Sequence, residues 1–160
     1  METSGPGKRA WSYPGRVPTL PDAITAITDP SERELVELAF EACAKAYAPY
    51  SKFQVGAAIR TTRGTYTGTN VENGSYGLTS CAERNAVFAA VTAEGGKIRL
   101  EAVAVYALLP GGNVRTASPC GACRQVLAEF GRDASITFLE GGRFCTMTVD
   151  ELLPAAFELY

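Results

Sequence analysis

Leu100-Glu101-Ala102-Val103-Ala104-Val105-Tyr106-Ala107-Leu108 is followed by Pro119-Cys120-Gly121-Ala122-Cys123-Arg124-Gln125-Val126-Leu127-Ala128-Glu129-Phe130-Gly131 and then by Ser135-Ile136-Thr137-Phe138-Leu139. The first segment is an apolar run of strand length. In the second, Pro119 introduces a helix predicted over Gly121–Phe130, with Gly131 as its C-cap. The third is a short strand. Working outward toward the C-terminus, Gly141-Gly142 separates it from another strand, Phe144–Thr148. Thr148-Val149-Asp150-Glu151 then forms a capping box for a short helix that Pro154 truncates. Toward the N-terminus, Cys81–Ala93 reads as a helix ended near Gly95-Gly96. Gln54–Thr61 and Thr65–Asn70 read as a hairpin around Arg63-Gly64. Asp29-Pro30-Ser31-Glu32 combines an N-cap, a proline at the first helical position and a glutamate three residues after the cap. Leu35, Leu38, Ala39, Ala42 and Ala46 continue that helix, and Pro49 ends it. Five strands alternate with helices, which predicts an α/β sandwich.

The chain has 160 residues, the size of one domain with one core. That domain is expected over residues 30–160. Residues 1–29 hold Gly5, Pro6, Gly7, Pro14, Gly15, Pro18 and Pro21 with little periodicity. They read as a flexible or loosely docked extension, with Trp11 and Tyr13 as anchors. Fifteen Lys and Arg against seventeen Asp and Glu leave a formal charge of −2, which argues against a nucleic-acid binder with its basic stripe. No apolar run approaches the roughly 18–20 residues of a membrane span, and the start of the chain lacks the basic-then-apolar layout of a signal peptide. A cytoplasmic protein is the expectation.

Histidine is absent, which removes Ser-His-Asp and Cys-His catalysis and every His-ligated metal site. The five cysteines are Cys43, Cys81, Cys120, Cys123 and Cys145, an odd number that fits reduced thiols better than a disulfide framework. Cys120-Gly121-Ala122-Cys123 at the mouth of a helix can put two sulfurs on one metal. Cys81, 39 positions upstream at the start of another helix, can supply a third. Three protein ligands leave the fourth position of tetrahedral zinc open for water, as in a catalytic site. Helix N-termini favour the thiolate form. Glu83, two residues after a ligand, can reach a metal-bound water without joining the coordination shell, take its proton and pass it on. A Cys-x-x-Cys can equally be a redox pair or part of a structural zinc site. A fourth ligand from Cys43 or Cys145 would close the site, but both sit in apolar segments without paired spacing and read as core cysteines.

Taken together these strings resemble the small, homotetrameric type of zinc-dependent cytidine deaminase. The resemblance rests on Tyr50-Ser51-Lys52-Phe53-Gln54-Val55-Gly56-Ala57-Ala58, Asn70-Val71-Glu72-Asn73, Cys81-Ala82-Glu83-Arg84-Asn85-Ala86 and Ser118-Pro119-Cys120-Gly121-Ala122-Cys123-Arg124-Gln125. Leu152-Leu153-Pro154 and Phe157 complete it, and it covers roughly Ala39 to Phe157. It implies a three-layer α/β/α sandwich with a central mixed five-stranded sheet, one zinc per subunit, and four active sites built at subunit contacts. It implies that Asn70 and Glu72 hold the ribose 3′-hydroxyl, as an amide and a carboxylate can. By the same resemblance Phe53 packs beside the pyrimidine, Ala82 belongs to the substrate-binding set, and Phe157 reaches a neighbouring subunit's site. Tyr76 falls at a subunit contact. Arg84 is expected to hydrogen-bond a ligand sulfur and draw off the excess charge of three thiolates, with Gln125 orienting it.

The implied reaction is hydrolysis of cytidine, and by extension 2′-deoxycytidine, to uridine or 2′-deoxyuridine plus ammonia, a step of pyrimidine salvage. Zinc-bound hydroxide attacks C4 while Glu83 shuttles protons. A blasticidin-type deaminase of aminonucleoside antibiotics shares that chemistry. A nucleic-acid-editing deaminase would need a basic stripe, and a non-catalytic zinc module would not need Glu83.

Overall fold

The computed structural model describes residues 22–111 and 116–159. Trp11 and Tyr13 lie outside the described residues. Among the described residues eleven elements run in order: a 3₁₀ turn (Asp22–Ala26), α1 (Pro30–Cys43), β1 (Gln54–Thr61), β2 (Thr65–Thr69), a second 3₁₀ turn (Tyr76–Leu78), α2 (Ala82–Glu94), β3 (Leu100–Leu108), α3 (Gly121–Phe130), β4 (Ser135–Glu140), β5 (Arg143–Thr148) and α4 (Val149–Leu152).

The five strands form one sheet in the order β2-β1-β3-β4-β5. Only β3 and β4 pair in parallel, joined by α3; the other neighbours are antiparallel. The sheet is therefore mixed, as expected. Its side chains alternate between two cores because successive residues of a strand face opposite ways. Ala57, Ile59, Val103, Val105 and Ala107 pack with α2 and α3 residues such as Ala82, Ala86, Val87 and Leu127. Ala58, Ala104, Tyr106 and Leu108 pack on the other face against Leu35, Val36, Ala39 and Cys43 of α1. Helices thus cover both faces in three layers. Ile27 joins the α1 core, so the chain is docked several residues before the helix begins.

Local details depart from the sequence reading in two places around α1. First, α1 stops at Cys43 rather than running to Pro49, and Ala44 caps it. The chain turns away because Tyr47 hydrogen-bonds the Asn70 carbonyl at 3.1 Å, and Glu72 N–H bonds the Tyr47 carbonyl at 2.8 Å. Second, Asp29 does cap α1, accepting from Ser31 and Glu32 N–H, but Glu32 does not reach back to complete a box. Its carboxylate is held instead by the hydroxyls of Thr137 and Thr146 on β4 and β5. Gly131 caps α3 as read, though with φ 176°, which is extended and open to any residue. The glycine is required for space, since a Cβ there would lie 2.5 Å from the Leu100 carbonyl oxygen. The Thr148/Glu151 capping box of α4 forms as read. Gly141 and Gly142 make the β4–β5 turn with positive φ at both positions.

Candidate active site

α2 and α3 lie on the same face of the sheet and bring their N-termini together. Cys81 is the N-cap of α2 and Cys120 the N-cap of α3, and neither sulfur caps its own helix by a hydrogen bond. Both are free for another task at the positive end of a helix dipole. Cys123 lies one turn further into α3 and is buried. Their sulfurs are 4.0 Å apart for Cys81 and Cys120, and 3.5 Å apart for Cys120 and Cys123. All three lie within 4.8 Å of one another, and among the described residues no other His, Cys, Asp or Glu joins them. Tetrahedral zinc with bonds of about 2.3 Å separates its sulfur ligands by about 3.8 Å. Two of the three separations lie close to that value and the third is below 4.8 Å, a spacing that suits a zinc ion. Cys43 instead donates to the Gln54 carbonyl at 3.2 Å, and Cys145 lies on β5 near the Phe138 carbonyl. Neither closes the site.

Arg84 donates to the Cys81 sulfur at 3.4 Å and to the Thr79 carbonyl at 3.2 Å. In the metal-free protein the Cys123 thiol hydrogen-bonds Cys81 and, against the cost of burial, pulls its pKa down to about 5, with Arg84 assisting. Cys123 keeps its proton, its pKa pushed up by that same bond to Cys81 and by burial. Glu83 is 5% exposed. Burial raises its pKa above the ordinary carboxylate value, and the Cys81 thiolate adds to this. A proton carrier benefits from that shift, because it must hold a proton part of the time.

Beside the cluster, and lined by its Cys81, lies a cleft of about 260 Å³. Phe53, Asn70, Glu72, Cys81, Ala82 and Glu83 line it, together with Val55, Thr79, Ser80 and the 116–118 segment. Phe53 packs against the core. Asn70 is buried. Its amide donates to the Phe53 carbonyl and accepts from Val55 N–H, both at 2.8 Å. It thus extends the sheet through its side chain and aims the start of β1 at the cleft. One N–H and one lone pair of the amide remain for a ligand. Ala82 is fully buried, wedged where α2 meets β2. There Gly68 is required, since a Cβ would lie 2.4 Å from both the Ala82 carbonyl oxygen and the Ala86 nitrogen.

The remaining expected residues lie outside the cleft. Tyr76 is 78% exposed and stacks edge-on with Tyr50, and Phe157 is 70% exposed. Gln125 departs from expectation. Its amide donates to the Phe157 carbonyl at 2.9 Å and accepts from Phe157 N–H at 3.2 Å, so it grips the C-terminal segment instead of orienting Arg84. The sequence reading also missed Asn85. Its side chain donates to the Thr69 carbonyl at 2.7 Å and accepts from the Ser80 hydroxyl at 2.7 Å, tying α2 to the end of β2. A polar residue directly after Glu83-Arg84 was the available signal.

The family profile described as the cytidine and deoxycytidylate deaminase zinc-binding region matches residues 30–139. The chain belongs to this deaminase family. A cytidine deaminase of Halalkalibacterium halodurans is 45% identical over 126 residues, covering 77% of this chain and 91% of that protein. The crystal structure of cytidine deaminase from Mycobacterium tuberculosis superposes with a TM-score of 0.68 at 44% identity, covering 82% of this chain and all of the other. A blasticidin-S deaminase of Bacillus cereus is more distant at 34% identity, covering 78% of this chain and 90% of that protein. The family's metal is zinc, and the deaminase's three-thiol cluster is the place for it.

Proposed function

We propose that this deaminase hydrolyses the 4-amino group of cytidine, and of 2′-deoxycytidine, with Cys81, Cys120 and Cys123 holding zinc and Glu83 carrying protons. The observation that carries the reading is Glu83 itself. It is a buried carboxylate on the first turn of α2, beside the thiols and lining the cleft. Bound at the three sulfurs, zinc supplies a Lewis acid that ionises water near neutral pH.

The chain's own groups do the rest. Phe53 offers an apolar wall to the pyrimidine, and Asn70 and Glu72 hold the ribose 3′-hydroxyl. Glu83 takes one proton from the attacking water and gives it to ring N3. It then carries the second to the amino nitrogen as the C4–N bond breaks, so C4 exchanges nitrogen for oxygen and ammonia leaves. Arg84 offsets the negative charge of the thiolates through Cys81.

Phe157 and Tyr76 act across subunit contacts, in a homotetramer whose active sites are shared. Tyr76 supports this reading because its ring packs on the exposed Tyr50, and adjoining exposed apolar side chains are what mark contacts. We place the enzyme in pyrimidine salvage and in the cytoplasm, and the five free thiols favour the second of these. Among the described residues no helix is long and apolar enough to cross a membrane. Residues 30–160 are taken as the catalytic domain and residues 1–29 as an extension to it.

Metal-assayed protein should release ammonia from cytidine with kcat/KM at least tenfold above that for blasticidin S. The reverse preference would transfer the assignment to the antibiotic deaminases, and zinc-loaded protein inert on both would end it.

A further inference from the structure

The loop between α1 and β1 is built around the Glu72 carboxylate. Tyr50 N–H and Ser51 N–H donate to its Oε2 at 2.8 and 3.2 Å, and the Ser51 hydroxyl donates to Oε1. The same hydroxyl oxygen accepts from Phe53 N–H at 2.9 Å. To make this wrap the chain places Lys52 at φ 60°, a left-handed conformation that few side chains adopt without support. A hydrogen-bonded relay therefore runs from Phe53 N–H through the Ser51 hydroxyl to Glu72. It joins two residues that line the cleft from different segments, and hydrogen bonds in series strengthen one another.

The count of acceptor sites gives this a consequence. A carboxylate offers about four lone-pair sites, and the loop takes two on Oε2 and one on Oε1. The site that is left lies on Oε1, the oxygen whose direction Ser51 sets. Without the Ser51 hydroxyl, Oε1 would keep only the restraint that the two backbone N–H groups place on the carboxylate through Oε2, and Phe53 N–H would lose its acceptor.

We propose that Ser51 is a positioning residue for substrate specificity: through its hydroxyl it aims Glu72 at the sugar and locks that anchor to the ring wall at Phe53. This rests on the reading of Glu72 as the acceptor of the ribose 3′-hydroxyl. The role is to select nucleosides with a free 3′-hydroxyl, not to perform chemistry at C4.

The test compares cytidine with 3′-deoxycytidine on zinc-loaded wild type, Ser51→Ala, Ser51→Thr and Glu72→Gln. Wild type should prefer cytidine, and Glu72→Gln should abolish most of that preference. Ser51→Ala should reduce the preference by about tenfold, mainly through a higher KM for cytidine, with kcat within about threefold of wild type. Ser51→Thr, which keeps the hydroxyl, should restore most of it. If Ser51→Ala lowers kcat/KM equally for both substrates while Glu72→Gln abolishes the preference, the serine is merely structural and the inference is overturned. If Glu72→Gln leaves the preference intact, the reading of Glu72 itself fails and takes the inference with it. Should Ser51→Ala not fold, Ser51→Cys keeps the shape with a weak donor and must lower the preference in the same direction, or the inference is overturned.

Discussion

At the scale of single residues, burial separates the two glutamates of the cleft into different roles. Glu83 is enclosed and its pKa raised, whereas the loop holds Glu72 ionised. For Glu72, desolvation is outweighed by hydrogen bonds from the Ser51 side chain and the Tyr50 and Ser51 backbone, which lower its pKa. Replacing Glu83 by Gln keeps the size but removes the ability to take and return a proton. The expected loss in kcat is about 10² to 10⁴, with zinc per chain unchanged. Ammonia release and metal content measured on one preparation check this, and retained turnover within tenfold would remove Glu83 from the proton path. The thiols give a second residue-scale prediction, for the metal-free protein. Cys81 has its pKa lowered in the folded state from 9.0 to about 5, so its stabilising effect is complete above pH 9 and is lost as pH falls toward 5. Cys123 is raised, so its effect is present below pH 9 and is lost at higher pH. Between pH 5 and 9 the unfolded pair binds one proton more than the folded pair, and stability should rise with pH. Urea midpoints of metal-free wild type and Cys81→Ser should diverge across that window; parallel curves would contradict the assignment of the thiolate to Cys81.

At the scale of elements, the site depends on how closely α2 sits on β2. Gly68 allows the contact, and Asn85 fastens it through the Thr69 carbonyl. A methyl group at position 68 would meet the α2 backbone, which cannot move aside as a side chain can. Gly68→Ala should therefore cost about 1–3 kcal/mol and also weaken zinc binding, because Cys81 rides on the displaced helix. Asp29→Ala removes the cap of α1 on the opposite face and should cost about 1 kcal/mol with zinc affinity unchanged. Urea unfolding paired with zinc competition by a chromophoric chelator distinguishes the two. Equal effects on zinc would mean that α2 does not transmit the strain.

At the scale of the whole molecule, the exposed aromatics set the expectation. The backbone of Phe157 is held by the Gln125 side chain, and its own side chain is exposed and does not line the cleft of its own chain; the proposed tetramer would bring it to another copy. Light scattering should give about 68 kDa, four copies of the 17.0 kDa chain. Phe157→Ala should lower kcat/KM by about tenfold or more while zinc content holds, since a buried aromatic contact is worth about 1–3 kcal/mol. A fully active monomer would withdraw both Phe157 and Tyr76 from the site.

The sequence by itself determined the five strands, the helices that carry the cysteines, and the donor set. These are local properties: strand-length apolar runs, N-caps, and three thiols in a chain without histidine. Resemblance of the short strings then supplied the mixed sheet and the chemistry. Only the tertiary structure decided which polar side chains serve the site and which hold the scaffold. Gln125 grips Phe157 instead of steering Arg84, Glu32 bonds threonine hydroxyls of β4 and β5 instead of closing a capping box, and α1 stops six residues before Pro49 because Tyr47 has a partner at Asn70. Ser51 and Glu72 are 21 positions apart in the chain and meet only when the loop closes. The physical reason is common to all four. Apolar periodicity is written along the chain, residue by residue, whereas a polar group, on a side chain or on the backbone, chooses among donors and acceptors that folding brings within 3 Å or so of it, and that choice exists only once the sheet has set the distances.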